Sequence, residues 1–139
     1  MSRIHTTALV DPRAELDLDV EVGAYCVIGP KVKVGRGTRI KSHVVVEGNT
    51  TLGEGNVIFQ FATVGSIPQD LKYQGEDSQL IIGQHNTIRE FVSLNPGTAG
   101  GGKPTMKLIG HLACAREHGA MLQLGAVLPD VLGLFARRP

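Results

Sequence analysis

Aliphatic residues recur at every sixth position from the start of this chain: Ile4, Val10, Leu16, Val22, Ile28, Val34, Ile40, Val46, Leu52, Ile58 and Val64. After an interruption the same phase returns at Ile82, Ile88 and Leu94. An α-helix repeats every 3.6 residues and an ordinary strand every 2, so neither produces this comb. A hexapeptide repeat does, and it is the mark of a parallel β-helix. The strands of a β-sandwich vary in length and would not hold phase through eleven repeats. The pattern therefore predicts an all-β prism with three faces of short strands and three hexapeptides to each coil. Coils would lie roughly 4.8 Å apart, the spacing of neighbouring strands.

The positions between the aliphatic residues are also patterned. Glycine follows the aliphatic residue at Gly23, Gly29, Gly35, Gly53, Gly65 and Gly83. This reads as a tight corner that uses the freedom of glycine at positive φ. Four positions after each aliphatic residue the side chains are mostly small or β-branched, among them Val20, Cys26, Val32, Thr38, Val44, Thr50 and Ala62. Asn56 and Asn86 share that slot, where asparagine is expected for its tolerance of turn conformations.

The bulk properties narrow the function. At 139 residues the chain is one domain. A net charge of +1 and basic residues scattered among few aromatics give no nucleic-acid surface. Cys26 and Cys114 form no CxxC or Cys/His metal spacing, and Cys26 sits in a packing slot, so it reads as a buried free thiol of a reducing compartment. Arg3, Asp11, Arg13, Glu15, Asp17, Asp19 and Glu21 leave no apolar signal-peptide core, which points to the cytoplasm. No metal site and no cofactor are expected.

Residues 66–79, SIPQDLKYQGEDSQ, break the comb. Counted as two repeats, they would place Asp70 and Glu76 in the buried aliphatic slots without partners, so an ejected loop is the better account. Such a loop on a rigid solenoid is a natural carrier of binding residues. The β-helix is thus expected over 1–102, with the loop at 66–79 and a non-repeat tail over 103–139. That tail reads as irregular or helical. Met106, Ile109, Leu112, Ala113 and Arg116 have rough helical spacing, and Pro129 would end the helix. The apolar stretch 119–136 is broken by Gln123, Pro129 and Asp130, so no stable membrane span is expected.

With the comb, the loop and the return of phase in view, the sequence resembles the acyl-carrier-protein-dependent UDP-N-acetylglucosamine O-acyltransferases of lipid A synthesis. The resemblance rests on IKSHVVVEGNTTLGEGN at 40–56, QDLKYQGE at 69–76 and IREFVSLNPGT at 88–98, and it covers residues 1–102. The comb alone is shared by many sugar-nucleotide acyltransferases; the QDLKY loop followed by IRE and GT is far more specific. The resemblance implies a left-handed prism, the opposite hand to ordinary parallel crossovers. It also implies a homotrimer that moves a 3-hydroxyacyl group from acyl carrier protein to the 3-hydroxyl of UDP-N-acetylglucosamine. The loop residues Gln69, Asp70, Lys72 and Tyr73 would then hold the sugar nucleotide. Lys72 suits a phosphate as a point charge, and Asp70 suits sugar hydroxyls as an acceptor. The related N-acyltransferase of that pathway carries a uridine-binding domain ahead of its prism, for which repeats beginning at Ile4 leave no room. The γ-type carbonic anhydrases, metal enzymes on the same prism, need three converging histidines, and His43 and His85 lack the short paired spacing.

The resemblance ends at Gly102. The reaction needs a general base for the attacking hydroxyl and donors for the oxyanion. In the family the base belongs to a His-x-x-His-Asp motif, which this sequence does not contain. His111 and His118 lie in the corresponding stretch, in GHLAC and REHGA contexts that do not match, and are the remaining candidates for a base. Two expectations follow: a truncated member, by frameshift or a mis-set gene boundary, or a non-catalytic scaffold that keeps the sugar-nucleotide loop.

Overall fold

The computed structural model describes residues 1–68 and 71–98, together with the backbone of 105–108. It is built of three parallel sheets of five strands each. The first contains Arg3–Ile4, Glu21–Val22, Arg39–Ile40, Val57–Ile58 and Thr87–Ile88. The second contains Leu9–Val10, Val27–Ile28, Val45–Val46, Thr63–Val64 and Ser93–Leu94. The third contains Glu15–Leu16, Lys33–Val34, Asn49–Leu52, Gln79–Ile82 and Thr105–Leu108. Each turn of the chain visits the sheets in that order, so the fold is the parallel β-helix that the comb predicts, with the left hand that the resemblance implies.

The register carries the six-residue rhythm into space. Arg3 pairs with Glu21, Glu21 with Arg39 and Arg39 with Val57, a step of 18 residues or three hexapeptides. The aliphatic column therefore points into the core from the second coil onward, whereas in the first coil Ile4 is exposed and Val10 and Leu16 are partly buried against the core. Val22, Ile28, Val34, Ile40, Val46, Leu52, Ile58, Val64, Ile82, Ile88 and Leu94 are all buried. Cys26 is buried as a free thiol, as its slot predicts, and its Sγ donates to the Lys41 carbonyl at 2.8 Å. Burial holds its pKa above the ordinary thiol value, against the opposing pull of nearby backbone groups.

Two readings of the repeat need correction. Most glycines after the aliphatic residue are not at positive φ. The left-handed corner comes three positions after the aliphatic residue, at Asp19, Tyr25, Gly37, His43, Gly55, Phe61, His85 and Phe91. Gly23, Gly35 and Gly53 are instead set by the close approach of stacked coils. A Cβ on Gly23 would lie 2.8 Å from the Lys41 carbonyl carbon, on Gly35 2.5 Å from that of Gly53, and on Gly53 2.7 Å from the Gly83 oxygen. Asn56 and Asn86, likewise, are not turn residues. Their slots face the interior, where Asn56 Nδ2 donates to the carbonyls of Gly53 (2.9 Å) and Gly83 (2.8 Å) and its Oδ1 accepts from the Asn86 N–H (2.9 Å). Thr38 Oγ1 extends the ladder one coil down by donating to the Gly53 carbonyl at 2.9 Å. Asn56→Leu is expected to strip the Gly83 carbonyl and the Asn86 N–H of their partner, at a cost of about 2–4 kcal/mol. A urea midpoint giving less than about 0.5 kcal/mol of loss would show that the ladder is dispensable.

Across the interruption the register step is 30: Asn49 pairs with Gln79, Val57 with Thr87 and Thr63 with Ser93. Twelve residues more than the regular 18 are thus looped out between Val64 and Gln79. Because twelve is two hexapeptides, the comb resumes in phase. The tail also departs from expectation. Thr105–Leu108 is a strand in parallel register with Gln79–Ile82, where a non-repeat or helical segment was expected. Here the step is 26, so eight extra residues hide this strand from a six-residue count. The other tail residues, including Cys114 and the apolar stretch 119–136, lie outside the described residues. Among the described residues no helix is long and apolar enough to cross a membrane.

The three outer faces differ in chemistry. The first sheet turns out Arg3, Glu21 and Arg39, with Arg3 paired to Glu21. The third turns out Glu15 and Lys33, paired at 3.5 Å. The second turns out Leu9, Val27, Val45, Thr63 and Ser93, without a charge.

Candidate functional site

The loop leaves the prism at the edge between the second and third sheets. The backbone makes that exit at Gly65, whose φ of +86° belongs to glycine and whose N–H donates to the Leu94 carbonyl at 2.7 Å. No side chain fits there, since a Cβ would collide with the Glu47 carbonyl oxygen and Thr50 Oγ1. Pro68 is buried at the loop's root. Farther out, Tyr73 Oη donates to the Glu76 carbonyl at 3.3 Å, and the Gln74 N–H donates to Glu76 Oε2 at 2.7 Å. Gly75, at φ +85°, turns the chain back.

Between this loop and the prism edge lies a cleft of about 460 Å³. Its polar lining comes from Lys31 and Asn49 on the prism and from Tyr73, Glu76, Asp77 and Ser78 on the loop. Ser78 Oγ is buried, and no hydrogen-bond partner for it lies among the described residues. A site of this make-up combines one cation, two carboxylates, a phenol and neutral donors, a set suited to a polar, hydroxyl-rich ligand.

Of the residues that the sequence points to, Tyr73 lines the cleft and is half-buried, whereas Lys72 is exposed on the loop. Gln69, Asp70, His111 and His118 lie outside the described residues. Lys31 and Asn49 were missed, although one signal could have found them. They are 18 residues apart, so they stack on the edge from which the loop springs.

The matched IRE segment also has a defined setting. The Arg89 guanidinium lies over the Phe59 ring, 4.1 Å from its centroid, and Arg89 Nε is 3.0 Å from Glu90 Oε1. Lys41 Nζ approaches the same ring at 5.8 Å. A planar guanidinium stacked on an aromatic and held by a carboxylate has its direction fixed.

A separate feature runs up the edge between the first and second sheets. Tyr25, His43, Phe61 and Phe91 stack in sequence with ring centroids 5.1, 5.4 and 5.7 Å apart. The ladder is open to solvent; Tyr25, Phe61 and Phe91 are 61%, 51% and 66% exposed. His85 stands on the other edge of the first sheet, above Gly55, where an added Cβ would strike its ring.

Comparison with known proteins adds a family context. Residues 2–48 match the bacterial transferase hexapeptide (six repeats) model. The chain is 50% identical over 104 residues to an acyl-[acyl-carrier-protein]–UDP-N-acetylglucosamine O-acyltransferase of Rickettsia peacockii, covering 75% of this chain. It is 48% identical over 101 residues to the protein of the same name from Thermodesulfovibrio yellowstonii, covering 73%. In both cases the match spans 39% of the relative, so this chain corresponds to about two fifths of those proteins. Among solved structures, LpxA of Acinetobacter baumannii superposes with a TM-score of 0.72 at 44% identity, covering 86% of this chain and 48% of that one.

Proposed function

Over its first three quarters the chain belongs to the UDP-N-acetylglucosamine O-acyltransferases, and we propose that its prism and loop form the sugar-nucleotide-holding part of such an enzyme. The observation that carries this reading is the loop in which the QDLKY motif lies: it leaves the prism at Gly65 and lines a polar cleft with Tyr73, Glu76, Asp77 and Ser78. Lys72 supplies a charge for the diphosphate, Tyr73 a ring and phenol at the cleft wall, and Gln69 and Asp70 polar contacts to the sugar. The reaction proposed is transfer of a 3-hydroxyacyl group from acyl carrier protein. The 3-hydroxyl attacks the thioester carbonyl, a base takes its proton, and the carrier leaves as its thiolate. No base is assigned among the described residues; His111 and His118 are the candidates retained. A non-catalytic scaffold that keeps the loop is the second reading, favoured by the lack of a His-x-x-His-Asp motif in the sequence.

We further propose that the chain assembles with copies of itself, as a homotrimer, through the uncharged second-sheet face and the aromatic edge beside it. On the prism, the exposed large hydrophobic residues described beyond the first coil are Tyr25, Val27, Phe61 and Phe91, all on this side; Leu9 of the first coil joins them. Contiguous apolar surface of this kind marks an association site.

Titrating UDP-N-acetylglucosamine into the full chain, with acyl transfer followed in parallel, tests the first proposal. Binding is expected, and Lys72→Ala is expected to weaken it about tenfold, the value of one charge-assisted contact. Binding with turnover supports the acyltransferase, and binding without turnover supports the scaffold. No binding by the wild-type chain overturns both.

A further inference from the structure

Asn95 stands where the root of the loop meets the next coil. It follows the second-sheet strand Ser93–Leu94, which pairs with Thr63–Val64, the strand from which the loop departs. Its side-chain amide is buried and fully engaged on the loop side. Nδ2 donates to two consecutive loop carbonyls, Ser66 at 2.9 Å and Ile67 at 3.1 Å. Its orientation is set from the prism side, because Oδ1 accepts from Ser93 Oγ at 3.2 Å, and Ser93 Oγ in turn accepts from Thr63 Oγ1 at 3.2 Å. Thr63, Ser93 and Asn95 thus form a relay that fixes which edge of the amide faces the loop. Residues 7% and 8% exposed, as Asn95 and Ser93 are, make these bonds without competition from solvent.

A loop of twelve extra residues holds a ligand group in place only if its path off the scaffold is fixed, since each free residue at the root multiplies the positions open to its tip. Gly65 provides the exit direction by its backbone, and Asn95 holds the two residues that follow. We propose that Asn95 is the positioning residue of the substrate loop: it presets the loop so that Lys72 and Tyr73 are in place before the sugar nucleotide arrives. This rests on the proposed function for its ligand, but not for its structural content.

Asn95→Asp is the sharp test, because it keeps the shape while turning a carboxylate oxygen toward the Ser66 and Ile67 carbonyls. Asn95→Ala removes the clamp, and Ser93→Ala removes only the hydroxyl that orients it, with little risk to folding. The loop is read by the rate of tryptic cleavage after Lys72, located by mass spectrometry, and ligand positioning by the Kd for UDP-N-acetylglucosamine. Asn95→Asp and Asn95→Ala are expected to raise the cleavage rate at least tenfold and to weaken binding about tenfold. Ser93→Ala is expected to produce about threefold changes in both. Denaturant midpoints show whether the prism itself is intact, and a merely structural role would shift them while leaving the Kd of the folded fraction unchanged. Wild-type values of cleavage and Kd in the Asn95 variants overturn the proposal; if those variants do not fold, unchanged values in Ser93→Ala do so. A wild-type chain that binds no sugar nucleotide would remove the proposed function, while the cleavage rates would still decide the clamp.

Discussion

Gly65→Ala is expected to destabilise the prism by about 2–5 kcal/mol, a substantial share of the roughly 5–15 kcal/mol that holds a typical domain folded. Two separate terms add. An L-residue at φ +86° pays about 1–2 kcal/mol of backbone strain. The added methyl would also collide with the Glu47 carbonyl oxygen and Thr50 Oγ1, which sit in the coil below. Relieving such overpacking costs about 1–3 kcal/mol. Neither obstacle can step aside easily, because Thr50 Oγ1 donates to that same Glu47 carbonyl at 2.7 Å. Gly48 tightens the site from beneath, since a Cβ there would come 2.5 Å from the Gly65 oxygen. Gly75→Ala provides the internal control. Gly75 has nearly the same φ, +85°, but nothing within 4 Å of where its Cβ would go. It should lose only the backbone term. Urea unfolding of both variants separates the contributions, and equal midpoints would show that the collision at Gly65 is absorbed at no cost.

Phe61→Glu combined with Phe91→Glu is expected to abolish self-association while leaving each prism folded. The rings are 51% and 66% exposed in the single chain, so charging them removes little of its own core. In an assembly closed on this edge, each copy would carry two carboxylates into an apolar contact without a cationic partner. An uncompensated polar group costs several kcal/mol there, and a loss of about 4 kcal/mol weakens association roughly a thousandfold. Sedimentation equilibrium at micromolar concentration reads the mass directly, and far-ultraviolet circular dichroism reports whether the β-helix persists. An unchanged mass in the double variant would move the interface elsewhere.

Several features were legible in the residue order because the repeat is local. The comb places an aliphatic residue inward on every strand, and the 18-residue coil follows from three hexapeptides, as the pairing of Glu21 with Arg39 bears out. The ejection of a loop, read as 66–79, was legible from the cost of burying Asp70 and Glu76, although Gln79 belongs to the strand that follows it. The resumption of phase at Ile82 was not in itself informative, since an insertion of two whole hexapeptides preserves the count whether it is looped out or coiled in. The aromatic ladder was half legible. Tyr25, His43 and Phe61 are spaced by 18, but the loop carries Phe91 to a separation of 30. Thr105–Leu108 escaped for the same reason, its step of 26 being no multiple of six.

By itself, then, the order of residues determined the architecture, the inward column and the loop, because each is written in spacings along one chain and set by the burial of side chains of a given size; the family was legible separately, in the motifs QDLKYQGE and IREFVSLNPGT. The tertiary structure decided what depends on atoms one coil away. It moved the left-handed corner to the third residue after the aliphatic one, where the backbone rounds the prism edge. It assigned Gly23, Gly35 and Gly53 to the contact between coils rather than to turns. It turned Asn56 inward, to carbonyls separated from it by as much as 27 residues, and joined Asn95 to a loop root 28 and 29 residues earlier. Hydrogen bonds and steric contacts act over about 3 Å of space, whatever the distance along the chain, and only the stacking of coils brings those partners together.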